Sequence, residues 1–216
     1  GRMIALNDLQ RLHAPCVDDL RKVLGTVLDS GGFVLGRECS RFETAFAAWC
    51  GARHALGVAN GTDAIEIALR ALGVGAADAV ATVANAGGYA TAAILACGAT
   101  PVFVDVDDVT MNVDLSALGL VLTQGVRAVV LTHLYGRLAA PEAVAKLCAG
   151  AGVALVEDCA NRWIFLGLGK HECGELFAGK LPWAIEQRSV EVIVQGELAG
   201  VEGREGKLVA VLKVLP

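Results

Sequence analysis

The sequence predicts an α/β protein in which helices cover both faces of a mostly parallel, doubly wound sheet. The chain has 216 residues and 55% of them are hydrophobic, so one domain can bury a sizeable core. Only 5% are aromatic and 26 are glycine, which leaves Ala, Val and Leu as the apolar mass, as in parallel sheets packed on Ala-rich helices. Strand-like runs also alternate with helix-like segments between residues 54 and 156.

Two helices are predicted before the first strand. Residues 17–30 carry apolar side chains at helical spacing, and Gly31 and Gly32 end that helix. Residues 39–50 form a second, shorter helix that Gly51 closes. The compact apolar run at 54–59 then predicts a buried strand, and residues 64–72 predict a helix that ends at Gly73.

An uncharged stretch from residue 79 to residue 104 is long enough to suggest a membrane span. It contains Asn85, the Gly87-Gly88 pair and Pro101, and it has few large aliphatic side chains in its middle. We therefore predict a strand at 78–83, a glycine-rich loop, a helix at 91–97 and a strand at 101–105.

The last regular elements of this pattern are a strand at 126–132, a helix at 141–151 and a strand at 153–156. Pro141 stands in the first turn of that helix, where a missing N–H is tolerated. Glu157 and Asp158 directly follow this last strand.

The composition changes near residue 160. Residues 1–160 contain eleven Asp, whereas residues 161–216 contain seven Glu but no Asp, Thr or Tyr. The segments 189–195 and 207–215 flank a glycine-rich turn, which predicts an antiparallel hairpin. We therefore expect a domain at 1–160 and a divergent tail at 161–216.

Net charge and cysteine pattern argue against nucleic acid and metal ions as partners. A net charge of −5 offers no basic surface for nucleic acid. The seven cysteines are scattered without a C-x-x-C pair, as expected for reduced thiols in a cytoplasmic protein. His171 and Cys173 lack a second ligand pair, so we predict no metal site. No apolar signal stretch stands at the N-terminus.

Three loops follow predicted strands, at the edge where α/β sheets bind ligands. Residues 60–63 enter a helix with a Gly and a Thr, which suits a phosphate, although Thr62 or Asp63 could equally serve as a helix N-cap. Residues 85–89 hold two glycines and Tyr89, which either lines a site for a planar ligand or packs on the next helix.

The third loop begins with Glu157 and Asp158. An acid directly after a buried strand needs a partner, so one of the two could pair with a basic ligand atom while the other caps a helix or faces solvent. His133 also follows a strand, where a lone histidine is more often structural than catalytic.

Taken together, the loops resemble the DegT/DnrJ/StrS-type sugar aminotransferases, which are pyridoxal-phosphate (PLP) enzymes of fold type I. The likeness covers about residues 4–160 and follows the chain in order. It is carried by the segments 6–9, 30–36, 59–64, 98–105, 133–136 and 156–158. The resemblance implies the three-layer, aspartate aminotransferase-like large domain, here truncated and followed by a hairpin-like tail.

The resemblance also implies roles for individual residues. Gly61, Thr62 and Asp63 stand where the family binds the PLP phosphate, and Asp158 stands where a carboxylate bonds the pyridine nitrogen. Asn161 replaces a Gln that lies near the ring. Gly87 stands where the family stacks an aromatic side chain on the ring, and Tyr89 is its candidate substitute.

The family's PLP-binding lysine lies in a Ser-Phe-x-x-x-Lys-Asn-like segment that this chain lacks. Lys180 is the candidate catalytic lysine near the expected position. The resemblance implies amino transfer from glutamate to a nucleotide-linked keto sugar in polysaccharide or antibiotic sugar biosynthesis, by a cytoplasmic homodimer. Without the lysine segment we expect impaired activity, or a non-catalytic PLP- or partner-binding protein, and a tail altered by frameshift, truncation or fusion.

Overall fold

The computed structural model describes residues 10–11, 14–50, 54–135, 137–159, 193–197 and 207–212. Within these ranges the helices are α1 (Val17–Ser30), α2 (Arg37–Cys50), α3 (Gly61–Ala71), α4 (Tyr89–Ala96), α5 (Leu115–Leu122) and α6 (Pro141–Ala151). The strands are β1 (His54–Val58), β2 (Ala79–Val83), β3 (Thr100–Val104), β4 (Ala128–Thr132), β5 (Ala154–Asp158), β6 (Ile193–Glu197) and β7 (Lys207–Leu212).

All seven strands join one sheet, in the order β1-β7-β6-β5-β4-β2-β3. Strand β6 runs antiparallel to β5 and β7, and every other neighbouring pair is parallel. The predicted mostly parallel sheet and the predicted antiparallel hairpin are both confirmed. The hairpin lies inside the sheet, between β5 and β1.

Helices pack on both faces of the sheet and produce three layers. On one face, α3 and α4 bury Ile65, Leu69 and Ile94 against Val130 and Val156. On the other face, α5 and α6 pack against the alternate residues of the same strands. That second cluster includes Leu118, Val121, Val144, Val129 and Leu131. Because successive strand residues point to opposite faces, the two clusters share β4 without sharing a side chain.

The structure shifts several predicted boundaries. Helix α3 begins at Gly61, three residues earlier than predicted, and β5 extends through Asp158, so the acidic pair belongs to the strand. Helix α5 was not predicted, because its nearly all-apolar sequence has no polar face. Asp114 begins that helix, since its Oδ1 accepts the Ala117 N–H at 2.7 Å.

The uncharged stretch at 79–104 forms β2, α4 and β3, as predicted. Among the residues that the structure describes, no helix combines the length and the apolar character needed to cross a membrane.

Candidate active site

The start of α3 is a capped helix turn with unused donors. Asn60 is the N-cap: its Oδ1 accepts the Asp63 N–H at 2.9 Å, and its Nδ2 donates to Asp63 Oδ2 at 2.7 Å. In the described part of the chain, the N–H groups of Gly61 and Thr62 and the Thr62 hydroxyl have no hydrogen-bond partner. The first N–H groups of a helix attract anions, so this turn suits a phosphate.

The cap corrects one interpretation of the sequence. Neither Thr62 nor Asp63 caps the helix, because Asn60 has the extended backbone of an N-cap, with φ −158° and ψ 170°. The Asp63 N–H is therefore occupied by the cap, while the Thr62 hydroxyl can still donate a hydrogen bond to a ligand.

Asp158 is the last residue of β5 and is 6% exposed. It lies level with Thr132 at the end of β4, and the Thr132 hydroxyl donates to Asp158 Oδ2 at 3.2 Å. The His133 N–H also donates to the Asp158 carbonyl oxygen at 3.0 Å. Both the backbone and the side chain of Asp158 are thus held by the neighbouring strand end.

Asp158 and the start of α3 lie on the same face and at the same edge of the sheet. Side chains two residues apart on a strand share a face, so Asp158 lies on the face of Val156, which packs in one cluster with Ala64 and Ile65 of α3. Strands β1 and β5 run in the same direction, and α3 begins three residues after β1. The structure therefore brings the donors of residues 61–62 and the carboxylate of Asp158 to one side of the carboxyl edge.

Tyr89 is 65% exposed in the first turn of α4, which follows β2 at this edge. A Cβ atom on Gly87 would lie 2.8 Å from Tyr89 Cε2 and 3.2 Å from its Cδ2. The tyrosine ring thus fills the space into which a side chain at position 87 would extend.

Glu157 faces the opposite side of the sheet and pairs with a buried histidine. His133 is fully buried, and its Nε2 lies 3.1 Å from Glu157 Oε2. The Ala139 N–H donates to His133 Nδ1 at 3.1 Å, so Nδ1 is an acceptor and Nε2 carries the proton. The sequence analysis expected the second acid to cap a helix or face solvent, and it does neither.

The same cluster has the composition of a metal site. Ligand atoms of His133, Glu157 and Cys159 all lie within 4.8 Å of one another. A metal ion at Nε2 would have to displace its proton while Nδ1 still accepts the Ala139 N–H, which would leave an imidazolate. We therefore interpret His133 and Glu157 as a hydrogen-bonded pair beside Cys159.

Hydrogen bonds also join the loops along this edge. Asn85 Nδ2 donates to the Met111 carbonyl oxygen at 2.8 Å, and buried Asn112 accepts the Leu134 N–H at 3.1 Å. Met111 and Tyr135 both have left-handed backbone, with φ 58° and 55°, and Tyr135 is 61% exposed. The loops after β2, β3 and β4 thus form one connected rim.

Two predicted site residues, Asn161 and Lys180, lie outside the described residues. The sequence analysis did not single out Thr132 as part of the site. The sequence does carry a signal for it, because Thr132 is the one polar residue of β4 and stands at its end. The other four residues of the strand are apolar, and all five are buried. Only the pairing of β4 with β5 connects it to Asp158.

Comparison with known proteins shows what this chain is similar to. Residues 17–170 match the DegT/DnrJ/EryC1/StrS aminotransferase family. A "pleiotropic regulatory protein" of Geobacillus stearothermophilus is 37% identical over 158 residues, which are 73% of this chain and 42% of that protein. The dTDP-3-amino-3,6-dideoxy-alpha-D-galactopyranose transaminase of Aneurinibacillus thermoaerophilus is 35% identical over 74% of this chain and 44% of its own length.

Solved structures agree with this likeness. DesV of S. venezuelae, in complex with a ketimine intermediate, superposes with a TM-score of 0.71 at 34% identity, over 74% of this chain and 43% of DesV. NtdA of Bacillus subtilis, with the cofactor PMP bound, has a TM-score of 0.65 at 26% identity, over 74% and 38% of the two chains. The chain thus spans about two fifths of the length of these relatives.

Proposed function

Because this chain belongs to the DegT/DnrJ/EryC1/StrS aminotransferase family, we propose that it carries the PLP site of an enzyme that transfers an amino group from glutamate to a nucleotide-linked keto sugar. Named transaminases of dTDP-linked and UDP-linked sugars among its relatives support this substrate class. Since the chain spans about two fifths of their length, the activity, the substrates and the assembly are part of the proposal.

The observation that carries the proposal is the shared position of two groups on one face of the sheet edge. The N–H groups of Gly61 and Thr62, with the Thr62 hydroxyl, form a donor set that fits a phosphate. The buried carboxylate of Asp158 fits a protonated ring nitrogen. PLP presents a phosphate and a pyridine nitrogen, so the chemistry of these residues fits the cofactor.

Each residue would then have a defined task. Gly61 and Thr62 bind the phosphate, and Asp63 keeps that turn in place through Asn60. Asp158 keeps the ring nitrogen protonated, Tyr89 flanks the ring, and Asn161 lies near it. When bound, PLP supplies an electron sink for the reacting carbon.

Proton transfer requires a base, for which Lys180 is the candidate within the sequence. A lysine near the reacting carbon accepts and returns the proton that moves during amino transfer. The missing Ser-Phe-x-x-x-Lys-Asn-like segment favours a second candidate, a protein that binds PLP or a partner without catalysis.

One experiment separates these outcomes. The 216-residue chain is incubated with PLP, scanned in the visible range, reduced with borohydride and mapped by mass spectrometry. An adduct on Lys180 supports the transaminase, whereas PLP binding without any adduct supports the non-catalytic protein. Wild-type affinity for PLP in both Asp158→Asn and Thr62→Val would overturn the proposed site. For those two variants we expect at least tenfold weaker binding, because Thr62→Val loses a hydrogen bond to the charged phosphate and Asp158→Asn loses the negative charge opposite the protonated ring nitrogen.

We further propose that the chain forms a homodimer in the cytoplasm. Three consecutive apolar residues, Phe33, Val34 and Leu35, are 66%, 84% and 80% exposed, as expected for a surface that a partner covers. Five cysteines, Cys16, Cys39, Cys97, Cys148 and Cys159, are free thiols, which suits a reducing compartment. Light scattering after size exclusion measures the mass, and a monomer at micromolar concentration would contradict the dimer.

A further inference from the structure

We propose that Thr132 is a positioning residue for the ligand-binding carboxylate of Asp158. The inference rests on the proposed function, because it concerns the residue that would hold the cofactor's ring nitrogen. Thr132 itself makes no contact with the cofactor in this proposal. It acts through the orientation of Asp158.

Thr132 is the last residue of β4 and lies beside the end of β5. Thr132 and Asp158 are level partners on β4 and β5, and they are 4% and 6% exposed. The other four residues of β4 are Ala, Val, Val and Leu, all buried. A hydroxyl in such surroundings is unfavourable unless it makes a hydrogen bond, and that of Thr132 donates to Asp158 Oδ2 at 3.2 Å.

Two features make this bond directional. Thr132 is β-branched, so its χ1 is restricted and its hydroxyl has a preset direction. The His133 N–H holds the Asp158 carbonyl oxygen at 3.0 Å, which fixes the backbone from which the carboxylate projects. With the backbone and one carboxylate oxygen both held, the orientation of the carboxylate is restricted before a ligand arrives. A hydroxyl donor also favours the ionised carboxylate, the form that binds a protonated ring nitrogen.

The chain offers a matched control on the neighbouring strand. Thr82 of β2 is 2% exposed, and its hydroxyl has no partner in the described part of the protein. Ala81 lies level with Val129, so Thr82 lies deeper in the sheet than Thr132. Thr82→Val therefore makes the same chemical change at a similarly buried site whose hydroxyl makes no hydrogen bond to Asp158.

The test measures the dissociation constant of PLP alone for the full chain and its variants. Thr132→Val should weaken binding about tenfold, since a hydrogen bond to a charged group is lost. Thr132→Ser keeps the hydroxyl but with a freer rotamer, so it should bind PLP about two- to threefold more weakly than wild type. Thr82→Val should bind PLP like wild type.

Wild-type PLP affinity in Thr132→Val would overturn the inference, as would an equal loss in Thr82→Val. If Thr132→Val does not fold, Thr132→Ser decides: affinity equal to wild type, or more than tenfold weaker, would contradict a preset hydroxyl direction. Asp158→Asn separates the two proposals. If that variant binds PLP like wild type, the proposed site fails, whereas weak binding there with wild-type affinity in Thr132→Val refutes only the role of Thr132.

Discussion

His133 donates a hydrogen bond to Glu157 across 3.1 Å while its other ring nitrogen accepts the Ala139 N–H. The imidazole is fully buried and neutral, and it connects the end of β5 to the loop before α6. Substitutions can remove these two hydrogen bonds one at a time. Asparagine at position 133 places an acceptor near Nδ1 and can keep the bond from Ala139, whereas glutamine places a donor near Nε2 and can keep the bond to Glu157.

We expect His133→Phe to lower the free energy of unfolding by about 3 kcal/mol, because it leaves both the Glu157 carboxylate and the Ala139 N–H without this partner. His133→Asn and His133→Gln should each lower the free energy of unfolding by less, since each keeps one of the two hydrogen bonds. Urea denaturation measures the free energy of unfolding of all three variants.

Glu157→Gln should lower the free energy of unfolding by less than about 1 kcal/mol, because a carboxamide oxygen still accepts from a neutral imidazole. A larger loss there would indicate a charged histidine.

Tyr89 and Gly87 compete for the same space, and this predicts a compensating pair of substitutions. Tyr89→Ala should weaken PLP binding about fivefold through loss of a ring contact, and Tyr89→Phe should not. Gly87→Phe in the Tyr89→Ala background should restore affinity, because the space is then free for a ring at position 87. Equal PLP affinity in Tyr89→Ala and wild type, by equilibrium dialysis, would remove Tyr89 from the site.

Asn60 caps α3 and so holds the turn proposed to bind phosphate. Asn60→Ala should lower the free energy of unfolding by about 1 kcal/mol, because the Asp63 N–H loses its acceptor. Asn60→Ser keeps an acceptor and should lose less than half of that amount. Chemical denaturation gives both values, and identical losses for the two variants would contradict a capping role.

Burial raises the pKa of the Cys148 thiol from 9.0 to about 11. The fold therefore favours the neutral thiol, and this contribution to stability is complete below pH 9 and disappears as the pH rises to about 11. We expect a decline on the order of 2 kcal/mol across that window. Cys148→Ala lowers the free energy of unfolding at every pH because it leaves a cavity. The comparison with wild type is therefore made on the slope of that free energy against pH. A decline as steep in Cys148→Ala as in wild type would show that other groups cause it.

The composition change near residue 160 predicts a feature of the coding DNA. The match to the family ends at residue 170, and residues 161–216 contain no Asp, Thr or Tyr. If a frameshift produced the tail, another reading frame downstream of codon 160 encodes a Ser-Phe-x-x-x-Lys-like segment. Resequencing the gene is the test, and the absence of such a segment from the other frames would exclude the frameshift.

The local order of the elements could be predicted from the sequence, because hydrophobic spacing and helix-ending glycines are local signals. They predicted α1 with its correct bounds and the strands that make up the sheet, and they placed residues 60–63 just after β1 and residues 157–158 at the end of β5. Helix α5 was not predicted because nearly all of its residues are apolar, so it has no polar face to mark its period.

The partners of the site residues depended on contacts between distant parts of the chain. Thr132 and Asp158 are 26 positions apart in the sequence, and only the register of β4 against β5 brings the hydroxyl to the carboxylate. Strand alternation then assigned Glu157 to one face with His133 and Asp158 to the other with α3. The sequence alone determined which residues stand at the strand ends, and the tertiary structure decided which of them face the same ligand, because register and alternation are properties of paired strands.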